Sequence, residues 1–142
     1  MNVLVTGGTG FVGSHTVKAL KQAGHHVRVL ARSGHKAECV FKGIGVDVDE
    51  IIVGDVTDPV AVARAIKGCD AVIHSAAMVS TADKHAEEMR EINVGGTKLV
   101  IDGCLAAGIK KIIYVSSVSA LFNAGDAVMN EDTPVSVAKS PY

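Results

Sequence analysis

Apolar residues along this chain alternate between short runs and helical spacing, and a glycine or proline sits at almost every change of pattern. Val3-Leu4-Val5 is a short apolar run that ends in Thr6-Gly7-Gly8-Thr9-Gly10, so it reads as a buried strand running into a tight turn. From Phe11 to Ala23, the residues Val12, Thr16, Ala19, Leu20 and Ala23 recur at helical spacing, and Gly24 supplies the stop. His26 to Ala31 reads as a second strand. Residues 36–49 are ambiguous: Ala37 to Lys42 fits a short helix that Gly43 and Gly45 break. Glu50 to Gly54 is a third strand. Asp58-Pro59 opens a helix, with Asp58 as N-cap and Pro59 at the first helical position, and Gly68 closes it just after Lys67. Ala71 to Ser75 is a fourth strand. A long helix is expected from Asp83 to Ala107, with Met89, Ile92, Gly96, Leu99, Val100 and Gly103 on one face and Gly108 at its end. Ile112 to Ser116 is a fifth strand, apolar enough to predict cover on both faces. Residues 118–142 read as irregular.

Strands and helices that alternate with short connections specify right-handed βαβ units. The expected fold class is therefore α/β, a Rossmann-type doubly wound parallel sheet of order 3-2-1-4-5 that is truncated after the fifth strand. Residues 1–142 would form one nucleotide-binding domain, with its crevice at the carboxyl ends of the first and fourth strands. Composition changes this picture little. With 48% hydrophobic and 20% charged residues and a net charge of −1, the chain is of ordinary globular type, and its scattered Lys and Arg predict no nucleic-acid partner. No apolar run reaches membrane-spanning length, so no membrane partner is expected, and Met1 leads straight into a strand rather than a signal pattern. Cys39, Cys69 and Cys104 are odd in number and far apart, which argues against a disulfide framework and for a reducing cytoplasm. The histidines show no metal-ligand spacing, and no metal is expected.

The candidate chemistry begins at the first turn. Gly8, Gly10 and Gly13 fit G-x-G-x-x-G, and Gly7, Gly10 and Gly13 fit G-x-x-G-x-x-G. Either spacing sets backbone N–H groups and a helix N-terminus at one point, where a pyrophosphate can approach without meeting a Cβ. Phe11 and Val12 lie within this turn and belong to the same candidate site. A plain strand–helix turn with packing glycines is the alternative. An acid that would hold adenosine ribose hydroxyls belongs some twenty residues later, yet the chain has Ala31-Arg32-Ser33 there. Arg32 can pair with a ribose 2′-phosphate, with Ser33 and Lys36 adding to it, so the expected cofactor is NADP, with NAD as the alternative. A solvated strand-end arginine is the plainer reading. Asp55 and Val56 follow the third strand, where Asp55 could accept from an adenine amino group or belong to a capping cluster with Asp58. Ser75, Ala76 and Ala77 end the fourth strand and leave room for ribose and phosphates.

Taken in order, Gly7-x-x-Gly10-x-x-Gly13, Gly54-Asp55-Val56, His74-Ser75-Ala76-Ala77, Asn93-Val94-x-Gly96-Thr97, Ser116-Ser117 and Ser140-Pro141-Tyr142 resemble the extended short-chain dehydrogenase/reductases, also called NAD-dependent epimerase/dehydratases. Arg32 and the run Ser117-Val118-Ser119-Ala120-Leu121 resemble the dihydroflavonol-reductase and hydroxysteroid-dehydrogenase branch more than the sugar-nucleotide epimerases. The resemblance implies hydride transfer between nicotinamide and a small-molecule carbonyl or hydroxyl substrate. It places Ser117 and Tyr142 as the catalytic Ser and Tyr, and gives Asn93 a polar role near them. For Ser117 the alternative is a strand-end serine bonding the backbone; for Asn93 it is a buried amide bonding a nearby carbonyl. A family Lys would lie four residues past Tyr142. Because the sequence stops at Tyr142, the expectation is a longer parent enzyme, a substrate-binding region absent here, and a chain without useful turnover. An epimerase or dehydratase that retains NAD, or a cofactor-binding module without turnover, are the competing functions. A second copy of the chain is the one protein partner allowed for, as a homodimer.

Overall fold

The computed structural model describes residues 1–80, 82–121 and 128–136. Five strands form one parallel sheet in the order β3-β2-β1-β4-β5: β1 (Asn2–Thr6), β2 (His26–Ala31), β3 (Glu50–Val53), β4 (Ala71–His74) and β5 (Lys111–Tyr114). The central strand β1 pairs with β2 from Asn2↔His26 to Thr6↔Leu30, and with β4 from Val3↔Ala71 to Thr6↔His74. The expected strand order is therefore the observed one.

Alternation along β1 divides the core in two. Val3 and Val5 meet Val17 of α1 (Phe11–Gln22), Val27 and Val29 of β2, and Ala37 and Phe41 of α2 (Gly34–Gly43). Leu4 points the other way, to Leu30, Val72, the α3 residues Val62, Ala65 and Ile66 (α3, Pro59–Ile66), and Val100 and Cys104. Helices thus cover both faces, which is what makes these strands read as continuous apolar runs. The caps follow the sequence. Asp58 Oδ1 accepts from Val60 N–H at 2.9 Å with Pro59 behind it, and Ser33 Oγ accepts from Lys36 N–H at 3.2 Å to open α2. Within the ambiguous 36–49 stretch, α2 runs to Gly43 and residues 44–49 form turn and loop; α2 starts earlier than expected because Ser33 caps it.

Two expectations are corrected. The helix expected over 83–107 is composite: a 3₁₀ turn (Asp83–His85), α4 (Ala86–Arg90), a π turn (Glu91–Gly96) and α5 (Thr97–Ala106). The wider turn lets Asn93 reach Met78 while Gly96 lies so close to Val56 that a Cβ there would stand 2.8 Å from Val56 Cγ2. The second correction is β5, which ends at Tyr114 and is not covered on both faces: Ile113 is 59% and Tyr114 54% exposed. It is an edge strand, paired on its β4 side.

Candidate functional site

A groove of about 350 Å³ opens at the carboxyl ends of β1 and β4. Its floor is the glycine turn, Gly7, Thr9 and Gly10; one wall is Arg32, Lys36, Asp55 and Val56, and the other is Ser75, Ala76, Ala77 and Met78. Two turn glycines are required by geometry. Gly7 has φ +71°, and a Cβ on it would stand 2.6 Å from Ala76 N, so the turn and the β4 exit touch backbone to backbone. A Cβ on Gly13 would collide with Gly7 O. Gly10 differs: its Cβ would meet Gly7 O at 3.3 Å and nothing else within 4 Å, so the space above it belongs to the groove. A phosphate laid there meets the N-terminus of α1, whose N-cap Gly10 uses no side chain. That open cradle fits a pyrophosphate.

The remaining predicted residues divide. Arg32 and Lys36 are exposed at the groove mouth, beside the N-terminus of α2, where three sources of positive potential coincide. Ser33 lies next to them, but its side chain is used as the cap of α2. Asp55 lines the groove while its Oδ1 accepts from Thr57 N–H and Thr57 Oγ, both at 3.0 Å. Ser75 turns its hydroxyl to Thr6 O at 2.7 Å, so it offers the groove its backbone rather than its hydroxyl. Phe11 and Val12 stand 83% and 53% exposed on the first turn of α1 and are not among the groove-lining residues.

A second cavity of about 520 Å³ adjoins Ala77, and Asn93, Arg90, Tyr114, Ser116 and Ser117 line it. Asn93 and Ser117, far apart in sequence, are thus brought to one space. Asn93 Oδ1 accepts from Met78 N–H at 2.7 Å and its Nδ2 donates to Met78 O at 2.9 Å. The backbone N–H and C=O of one residue together fix the amide's orientation. Ser117 Oγ accepts from Ser119 N–H at 3.2 Å and caps a short 3₁₀ turn (Val118–Ala120). Tyr142 lies outside the described residues. Sequence reading missed His74 as a side chain with a task. It is fully buried at the end of β4, and burial pushes its pKa down. Its signal was a histidine at a core-facing position of a strand, in register with Thr6.

The comparisons with known proteins bear on this geometry. A model of the 3-beta hydroxysteroid dehydrogenase/isomerase family matches residues 4–142. The chain belongs to that family. Its relatives are of mixed activity. A 2-alkyl-3-oxoalkanoate reductase of Stenotrophomonas maltophilia is 38% identical over 87% of this chain and 36% of the relative. A UDP-glucose 4-epimerase of Neisseria meningitidis is 32% identical over 99% of this chain and 44% of the relative. Among solved structures, a short-chain dehydrogenase/reductase of Agrobacterium tumefaciens with bound NAD superposes with a TM-score of 0.83 at 32% identity, over 100% of this chain and 40% of that one. The chain thus spans well under half the length of these family relatives. None of the described helices is long and apolar enough to cross a membrane.

Proposed function

We propose that this chain forms the dinucleotide-binding portion of an NAD(P)-dependent oxidoreductase that acts on a small-molecule carbonyl or hydroxyl group, with NADP preferred over NAD. The observation that carries the reading is the groove itself, in which an open glycine cradle and the Arg32–Lys36 pair line one space. A bound nicotinamide would supply or accept the hydride. The chain's own residues would do the rest. Gly7, Gly10 and the start of α1 hold the pyrophosphate; Arg32 and Lys36 hold a 2′-phosphate; Val56 and Asp55 flank the adenine. Ser117, by accepting from Ser119 N–H, keeps its own proton to donate to a substrate oxygen in the adjoining cavity. Tyr142 is proposed as the group that protonates that oxygen, after the family pattern, and Asn93 as a residue that shapes the cavity beside Ser117.

Calorimetric titration with NADPH and NADH tests the cofactor preference. NADPH is expected to bind more tightly, and Arg32→Ala to lose about 1–3 kcal/mol toward NADPH alone, the range for hydrogen bonds to charged groups. Equal affinities in the unsubstituted chain would reduce Arg32 to a surface arginine. The second reading, an epimerase that keeps NAD, is favoured by the likeness to UDP-glucose 4-epimerases, including a Stenotrophomonas structure with bound NAD at TM-score 0.86 and 27% identity. Tighter NADH, or NAD absorbance retained through purification, would select it.

A further inference from the structure

Thr6 ends β1 and His74 ends β4, and the two are paired in register. Both side chains are wholly buried, on the face of the sheet that α5 covers. His74 Nδ1 lies 2.6 Å from Thr6 Oγ1, and its Nε2 lies 2.9 Å from Thr97 Oγ1, at the first residue of α5. The neighbours decide which way the protons point. Thr97 donates its hydroxyl proton to Asn93 O at 2.6 Å, so toward the ring it can only accept, and Nε2 must carry the ring proton. Nδ1 is then bare and accepts from Thr6 Oγ1, which itself accepts from Ala76 N–H at 3.3 Å. Every bond runs in one sense, from Ala76 on the groove wall to the backbone of Asn93 in the π turn.

We infer that His74 is a positioning residue: as a neutral ring protonated on Nε2, it holds the β4 exit, residues 75–78, at a fixed place relative to the glycine turn and to Asn93. The inference rests on reading the groove as a dinucleotide site, since residues 75–77 are then its wall. Asn93 closes the loop, because its side chain grips Met78 at the far end of the same segment. A doubly protonated ring would turn an N–H toward Thr6, whose hydroxyl would have to swing its own proton off Nδ1 while still receiving Ala76 N–H. Burial already disfavours that charge. Among the described residues, the side chains that bond to the ring or stack near it are Thr6 from β1, Thr97 from α5 and, at a centroid distance of 5.7 Å, Tyr114 from β5, which is the titratable one of the three.

Nitrogen NMR of histidine-labelled protein at about pH 7.5 reads the ring directly, and the expected signal for His74 is a protonated Nε2 with a bare Nδ1. The same chain, with Thr97→Val and Thr97→Ser, is titrated with NADPH under conditions where circular dichroism shows each variant folded. Thr97→Val should raise the NADPH Kd by about tenfold, and Thr97→Ser, which keeps the acceptor, should bind nearly as the unsubstituted chain does. Thr97→Val should also speed amide exchange at Met78. A residue that merely fills the core would lower stability and leave the Kd of the folded protein alone. A proton on Nδ1, a charged ring at that pH, or unchanged Kd and exchange in Thr97→Val would overturn the inference. If the unsubstituted chain binds neither NADPH nor NADH, the proposed function fails instead, and the ring proton and Met78 exchange still decide whether His74 positions this segment.

Discussion

Gly10 is the residue on which the cofactor reading is most sharply exposed. Its Cβ would enter open groove and touch only Gly7 O. Gly10→Val is therefore expected to leave the circular dichroism spectrum nearly unchanged and to weaken dinucleotide binding more than about 100-fold, or about 2.7 kcal/mol. A folded variant with unaltered affinity would make the glycine turn a packing device only. The glycines were legible because spacing alone marks a turn that needs them. Arg32 was singled out by the missing acid, and it lines the groove. His74 was not, because a histidine at a strand end looks the same in sequence whether it faces water or the core. Only its register with Thr6 and its hydrogen bond to Thr97 separate the two. Asn93 showed as a polar residue on an apolar face, and its grip on both the N–H and the C=O of Met78 gives that position its physical reason.

At the scale of elements, caps and stops could be read closely, and irregular backbone could not. Asp58 holds Val60 N–H at the start of α3, so Asp58→Ala should cost about 1 kcal/mol, seen as a lower urea midpoint at unchanged slope. The π turn could not be told from regular helix in the sequence, since Met89, Ile92, Gly96, Leu99, Val100 and Gly103 still fit helical spacing across it. The fifth strand was misjudged for a different reason. Ile112 to Val115 is apolar throughout, and apolar content predicts a strand without saying how many of its faces are covered. With Ile113 and Tyr114 more than half exposed, Ile113→Lys should lower concentration-dependent association, measured by light scattering, at little cost in stability.

The whole molecule is a sheet whose two faces differ in chemistry as well as in contacts. The α1–α2 face buries the hydroxyl residue Ser14 among apolar side chains, whereas the α3–α5 face carries the buried histidine. That histidine gives the fold an acid limit. Burial holds its native pKa below the ordinary imidazole value, so the unfolded chain binds a proton that the native chain refuses. Stability from this source is complete above about pH 6.5 and declines as pH falls below it, toward roughly 1.4 kcal/mol per pH unit. A second decline belongs to Asp49. Burial works to raise its pKa, but bonds from Lys21 and Val27 N–H outweigh it and hold the carboxyl below the ordinary aspartate value, so that contribution goes only at lower pH. Urea unfolding at stepped pH should show the first decline, and His74→Gln should flatten it.

The buried row from Ala76 to Asn93 has one more consequence. A chain of hydroxyls and rings that ends in water can usually be read in either direction, because the water at each end will give or take. This one begins on a peptide N–H and finishes on a peptide C=O, and neither can trade places with the other. It therefore has a single ground state where a wet chain would have two. The backbone, laid down strands apart, has written the tautomer of a side chain it never bonds directly.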